Sequence, residues 1–112
     1  MDDGGETNEI LDFCEEQPSF PGGQDSMKIF LKSNMSYPPV LKDTDVQGTV
    51  YVQLIVEVDG SLTNAVVVRK VSPLLDAEAL RLIHIVPKWI PGMQSGKKAR
   101  VRYVIPISFR IE

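Results

Sequence analysis

Hydrophobic and polar positions alternate most strictly near the C-terminal end of the chain. From Lys97 to Ile111, the apolar residues Val101, Tyr103, Ile105, Ile107, Phe109 and Ile111 fall on one side of an extended backbone. Arg100, Arg102, Val104, Ser108 and Arg110 fall on the other. A period of two over that length predicts a strand with one buried face. Pro106 interrupts it. With no N–H to donate, a proline in a strand is confined to a sheet edge or a bulge. The N–H and C=O of one residue point to the same side of a strand, and that side alternates along it. At an edge, Pro106 therefore faces outward with Val104 and Ser108, while Ile105 and Ile107 bond inward. Such an edge keeps donors at Val104 and Ser108 and lacks one between them. That pattern suits the docking of a chosen peptide strand and resists pairing with itself.

Two more strands are predicted upstream. Between Gly48 and Asp59, residues Val50, Val52, Leu54, Val56 and Val58 share one face, and Tyr51, Gln53, Ile55 and Glu57 the other. Asp59-Gly60 then reads as a hairpin turn that requires a positive φ. Leu62 to Lys70 returns antiparallel, with its inward face ambiguous because Val66, Val67 and Val68 are consecutive.

Period 3.6 predicts two helices. Asp25 or Ser26 can cap a short one running to about Ser33, with Met27, Phe30 and Leu31 on its buried side. Ser72 and Pro73 fit the cap and first position of a second, along which Leu75, Ala79, Leu82, Ile83 and Val86 cluster before Pro87 stops it. Asp76 in its first turn complements the helix dipole. The order is helix, strand, strand, helix, strand. These elements predict an α+β domain: a three-stranded antiparallel sheet with two helices packed on one face.

At 112 residues the chain holds one domain with a single modest core. Its net charge of −3 conceals a division. The first 16 residues carry seven acids (Asp2, Asp3, Glu6, Glu9, Asp12, Glu15 and Glu16) and no base, whereas the rest has 12 bases against 8 acids, a net +4. Residues 1–17 read as an acidic flexible tail in which Ile10 to Phe13 could add a weak strand, and residues 18–112 as the domain. No signal peptide or transmembrane run is present, so a membrane anchor would have to lie in sequence missing from this chain. Cys14 is the one cysteine, which excludes an internal disulfide and a zinc cage.

Catalytic and cofactor chemistry find no support. His84, the one histidine, falls about 160° from the centre of its helix's apolar face and reads as solvated surface. Cys14 lies among carboxylates that raise a thiol pKa. No carboxylate pair, metal-ligand spacing or phosphate-binding loop occurs. Lys97, Lys98, Arg100, Arg102 and Arg110 form a basic stripe. It can protect the edge from aggregation, steer an acidic peptide or touch nucleic acid. Nucleic acid is disfavoured by the modest charge and the acidic tail. Trp89, between Lys88 and Ile90, reads as core cover rather than a recognition residue.

Six short motifs then arrive in one order. They are Tyr37-Pro38, Gly48-Thr49-Val50, Val58-Asp59-Gly60-Ser61, Leu75-Asp76-Ala77-Glu78-Ala79-Leu80, Pro87-Lys88-Trp89-Ile90-Pro91-Gly92 and Ile105-Pro106-Ile107-Ser108-Phe109. Together they resemble the C-terminal domain of TonB, the energy transducer of Gram-negative bacteria, over roughly residues 36–111. Phe20-Pro21-Gly22-Gly23 and the short helix are similar to the leader of a branch of TonB-like proteins.

The resemblance implies a periplasmic domain, anchored to the inner membrane in the full-length protein through a proline-rich linker and helix absent from this fragment. It implies an inner-membrane proton-driven motor complex as one partner and TonB-dependent outer-membrane transporters as the other. A transporter's N-terminal TonB box would add as a strand beside Arg100, Arg102, Val104, Pro106, Ser108 and Arg110, with Tyr37 and Pro38 as further contacts. No enzyme activity, metal or cofactor is implied, and the open edge allows a strand-exchanged homodimer of the fragment. Two other readings stay open: the same fold in an envelope signalling or metallopeptidase-like sensor, and a small nucleic-acid-binding α+β domain.

Overall fold

The computed structural model describes residues 8–110. Ile111, the last residue of the alternating run, and the acids Asp2, Asp3 and Glu6 lie outside the described residues. The elements in chain order are β1 (Ile10–Leu11), α1 (Gly23–Asn34), a 3₁₀ turn (Pro39–Leu41), β2 (Gly48–Val56), β3 (Leu62–Arg69), α2 (Pro73–Ile85), β4 (Gly92–Gln94) and β5 (Lys97–Phe109). The expected antiparallel sheet of three long strands is present, with β2 between β5 and β3. Two short strands join it. β1 pairs parallel to β5, and β4 forms a hairpin with the start of β5.

Register follows hydrophobic pattern. β2 pairs with β5 from Gly48↔Phe109 to Val56↔Val101. This aligns Val50, Val52, Leu54 and Val56 with Ile107, Ile105, Tyr103 and Val101 on one face. A slip of one residue would turn every one of these side chains to the opposite face, so burial fixes the pairing. Phe109, Leu54, Ile105 and Ile107 are among the fully buried side chains, each stabilising the fold by roughly 1.5–3 kcal/mol.

The ambiguity of β3 is resolved by irregular pairing. Val67 lies opposite Val52, Val66 opposite Gln53 and Arg69 opposite Tyr51, which leaves Val68 as an extra residue. A second irregularity falls beside Asn64, whose φ is +54°. Asparagine tolerates that left-handed conformation better than most residues. Val67 thus joins the core, and Val66 and Val68 remain exposed.

Both helices cover the face that carries Val50 and Val52. α2 begins as its sequence predicts: the Leu75 N–H donates to Ser72 Oγ at 3.2 Å, and Pro73 takes the first position. Asp76 also reaches back to accept the Val71 N–H at 3.0 Å. Leu75, Ala79, Leu82 and Ile83 are buried. α1 departs from expectation. Neither Asp25 nor Ser26 caps it; the helix starts at Gly23, after Gly22 in the left-handed conformation with φ +88°. The tight turn closed by Gly23 N–H to the Phe20 carbonyl, 2.8 Å, launches the helix three residues before a cap at Asp25 would. Met27 and Leu31 supply its buried stripe, and Phe30 packs partly against the core.

The helices are tied together by Glu78, a buried acid. Its carboxylate accepts from Arg81 Nε and Nη2, each at 2.7 Å, and from the Ser36 N–H at 2.6 Å. Arg81 also donates to the Asn34 carbonyl at 2.7 Å, so the end of α1 is fixed to α2.

Trp89 fulfils the expectation of core cover and has a second task. Its ring meets Phe20 and Tyr103 edge-on, with centroids 6.1 and 5.4 Å away. Its backbone N–H donates to the Gly60 carbonyl at 2.8 Å, binding the β2–β3 turn to the segment before β4. The leader follows the same segment. Ser19 exchanges two backbone bonds with Ile90, and Glu16 two with Met93.

Candidate functional site

The properties of β5 follow from Pro106, which stands opposite Tyr51. A pair that exchanges both N–H···O bonds needs two N–H groups, so this pair is of the non-hydrogen-bonded kind. The bonded pairs are then Val52 with Ile105 and Val50 with Ile107. Val104, Pro106 and Ser108 turn their backbone groups away from β2, and their side chains lie on the exposed face.

On that outer flank, β1 occupies the first positions only. Ile10 pairs with Arg100 and Leu11 with Val101. Side chains reinforce the join: Arg100 Nη1 donates to the Asn8 carbonyl at 2.7 Å, and Arg102 forms an ion pair with Asp12. Beyond Val101, no described residue pairs with the outer flank of β5. The edge expected from Arg100 to Arg110 is therefore covered at its start by the chain's own leader, and open along the rest.

The basic stripe is unevenly engaged. Arg100 binds Glu57 with 2.7 Å between Nε and Oε1, and Glu57 also accepts from Thr63 Oγ1 at 2.6 Å. The Arg100 guanidinium holds the Glu57 carboxyl below its ordinary pKa against the opposing effect of burial. With Arg100 on Glu57 and Arg102 on Asp12, a continuous phosphate-binding stripe is interrupted.

Farther along, α1 runs beside the open flank. A cleft of about 400 Å³ lies between them, lined by Met27, Leu31 and Met35 from the helix side and by Pro106, Ile107 and Ser108 from the strand. Lys28, Lys32 and Arg110 also line it, and none forms an ion pair among the described residues. Sequence reasoning identified α1 as a packing helix and missed this second role. The available signal was Lys28 and Lys32 at i, i+4 beside the Met27–Leu31 stripe, with no acid three or four residues from Lys32 to pair it.

Tyr37 and Pro38 stand elsewhere. The Tyr37 hydroxyl donates to the Val46 carbonyl, and neither residue lines the cleft. His84 is exposed, with Nδ1 2.7 Å from the Leu80 carbonyl of its own helix. The Cys14 thiol is pushed up chiefly by burial, with Glu15 and Glu16 adding to the effect. Burial rather than charge is thus the larger cause.

The sequence profile of the Gram-negative bacterial TonB protein C-terminal family matches residues 33–111. The chain belongs to that family. Two NMR solution structures of the Helicobacter pylori TonB C-terminal domain share its fold. One is 26% identical and matches with a TM-score of 0.55 over 78% of this chain and 94% of that one. A longer fragment is 25% identical, with a TM-score of 0.58 over 82% of this chain and 87% of its own length. No curated protein matches the chain. As a TonB-like domain it is periplasmic, and its family is one of non-catalytic transducer domains.

Proposed function

We propose that this TonB-like domain couples the inner-membrane proton motive force to active uptake by gripping the N-terminal segment of an outer-membrane transporter. The transporter segment adds as a strand to the outer flank of β5, alongside Arg102, Val104, Pro106, Ser108 and Arg110. The observation that carries the reading is the flank of β5 beyond Val101, which has no strand partner among the described residues although the strand runs on to Phe109.

The mechanism needs no reacting group. Each backbone hydrogen bond to the added strand contributes a net ~0.5–1.5 kcal/mol. Several in parallel share a load applied along the strand, so the join resists pulling better than any one contact. A reversible grip corresponds to micromolar affinity, about −8 kcal/mol. The test is a titration with peptides from transporter N-termini, followed by amide NMR. Shifts at Val104 and Ser108 are expected. An unchanged spectrum with every cognate peptide would overturn strand addition.

A further inference from the structure

Trp89 packs into the core, yet its indole N–H meets no acceptor there. The residue is 4% exposed, and Nε1 is buried without a hydrogen-bond partner among the described residues. A buried indole N–H ordinarily finds a partner, because leaving the donor unpaired forfeits the bonds it made to water in the unfolded chain. The ring cannot turn to find one. Phe20 and Tyr103 meet it edge-on, and the backbone N–H of the same residue is tied to Gly60. A rotation that carried Nε1 to solvent would break this packing, so an acceptor has to come to the indole.

Beside the ring lies a cavity of about 50 Å³. Pro18, Phe20 and Met27 wall it together with Trp89, and Ser19, Gln24 and Tyr103 bring polar atoms to it. A water takes roughly 10–15 Å³ of such space and needs two to four polar partners, so about one to three waters fit. An organic ligand needs a pocket of about 300 Å³ or more. The Gln24 side-chain amide and the Tyr103 hydroxyl make no hydrogen bond to another described residue, and both can serve as further partners. Gln24 and Met27 also line the cleft beside β5, so the cavity lies behind that wall. Gln24 is exposed and marks the way out to solvent.

We propose that this cavity is a binding site for ordered water, in which Trp89 Nε1 donates to a water that the Gln24 side chain holds from the other side. The water joins three segments: the leader turn at Pro18 to Phe20, the first turn of α1 and the stretch that follows α2. The leader is thereby seated on the core through a hydrated contact as well as an apolar one. The site is independent of strand docking at β5.

The test uses the full 112-residue chain with isotope-labelled tryptophan and water-selective NOE and ROE spectra. Trp89 is the one tryptophan, so its indole signal identifies itself. A cross-peak between Hε1 and water, with NOE and ROE of opposite sign, is expected of a water that tumbles with the protein. Ser19→Ala and Tyr103→Phe should keep that cross-peak, since it then cannot be relayed by their exchanging hydroxyl protons. Gln24→Leu, at an exposed position, should weaken it and move Hε1 upfield while the amide spectrum elsewhere stays the same.

Absence of the cross-peak overturns the water site. If Gln24→Leu nevertheless moves Hε1, the Gln24 carbonyl is the direct acceptor. NOE and ROE of the same sign mean that the indole proton exchanges with bulk solvent, which also overturns it. A cross-peak that Gln24→Leu leaves unchanged overturns Gln24 as the second partner.

Discussion

Pro106 of β5 lies opposite Tyr51 of β2, in a pair where the missing N–H is not needed. Tyr51 is itself covered on the neighbouring strand by Arg69, whose guanidinium carbon is 5.7 Å from the ring centroid. The proline therefore sits within a well-formed sheet and disturbs only the flank that faces away from β2. That placement makes the parity of the strand testable.

Replacing Val104 by proline removes a donor that faces outward, and replacing Ile105 removes one that bonds to β2. Val104→Pro should keep the fold, with stability changed by no more than about 1 kcal/mol, and should lose transporter-peptide binding. Ile105→Pro should unfold the domain. Urea melts and amide spectra of the two variants check this, and unfolding of Val104→Pro would reverse the parity.

Gly60 has φ +87°, and a Cβ built on it would come 2.1 Å from the Trp89 carbonyl oxygen. Neither side of that contact can give way, because the oxygen belongs to backbone. Gly60→Ala should destabilise the domain by about 2 kcal/mol or more through strain and lost turn–segment bonding. Denaturant unfolding followed by Trp89 fluorescence measures it.

The leader sets where the open flank of β5 begins. Deleting residues 1–13 removes β1 and frees the outward backbone groups of Arg100. A transporter peptide long enough to use them should bind about two- to tenfold more tightly, the worth of one additional hydrogen bond. Weaker binding after the deletion would make the leader part of the site rather than its boundary.

Glu78 and Glu57 give stability a defined pH dependence. Their hydrogen bonds to Arg81 and Arg100 hold both carboxyls below the ordinary glutamate value. Groups depressed in this way contribute fully above the unfolded-state pKa, about 4.3, and lose the contribution as pH falls through the lower folded-state value. Stability should be level near neutrality and decline below about pH 4.5. Glu78→Ala should cost about 1–3 kcal/mol at pH 7, because the Ser36 N–H loses its partner, and should flatten the acid limb. Urea midpoints between neutral and acid pH read both effects.

Much of the site was legible in the alternation from Val101 to Phe109 and in Pro106, because a strand's period and a proline's missing donor are local properties. The Ser72 cap and the Asp59-Gly60 turn were legible for the same reason. The start of α1 was not, since Gly22 acts through its backbone angle and leaves Asp25 and Ser26 unused as caps. The consecutive valines of β3 could not be oriented either, because the extra residues beside Asn64 and at Val68 change faces without changing composition.

By itself, the sequence determined the order of the two helices and three long strands, the buried faces of β2 and β5, and the side of β5 that bonds to a neighbour, and it left β4 as loop. Each depends on the spacing of residues within a few turns or pleats of chain. Tertiary structure alone decided that residues 10–11 close the first part of the flank, that Trp89 meets Gly60, and that α1 walls the remainder with Lys28 and Lys32. Those outcomes join segments separated by up to some ninety residues, as between Arg102 and Asp12. Their positions depend on how the layers pack, and packing is set by shape and burial summed over the whole domain rather than by any local period.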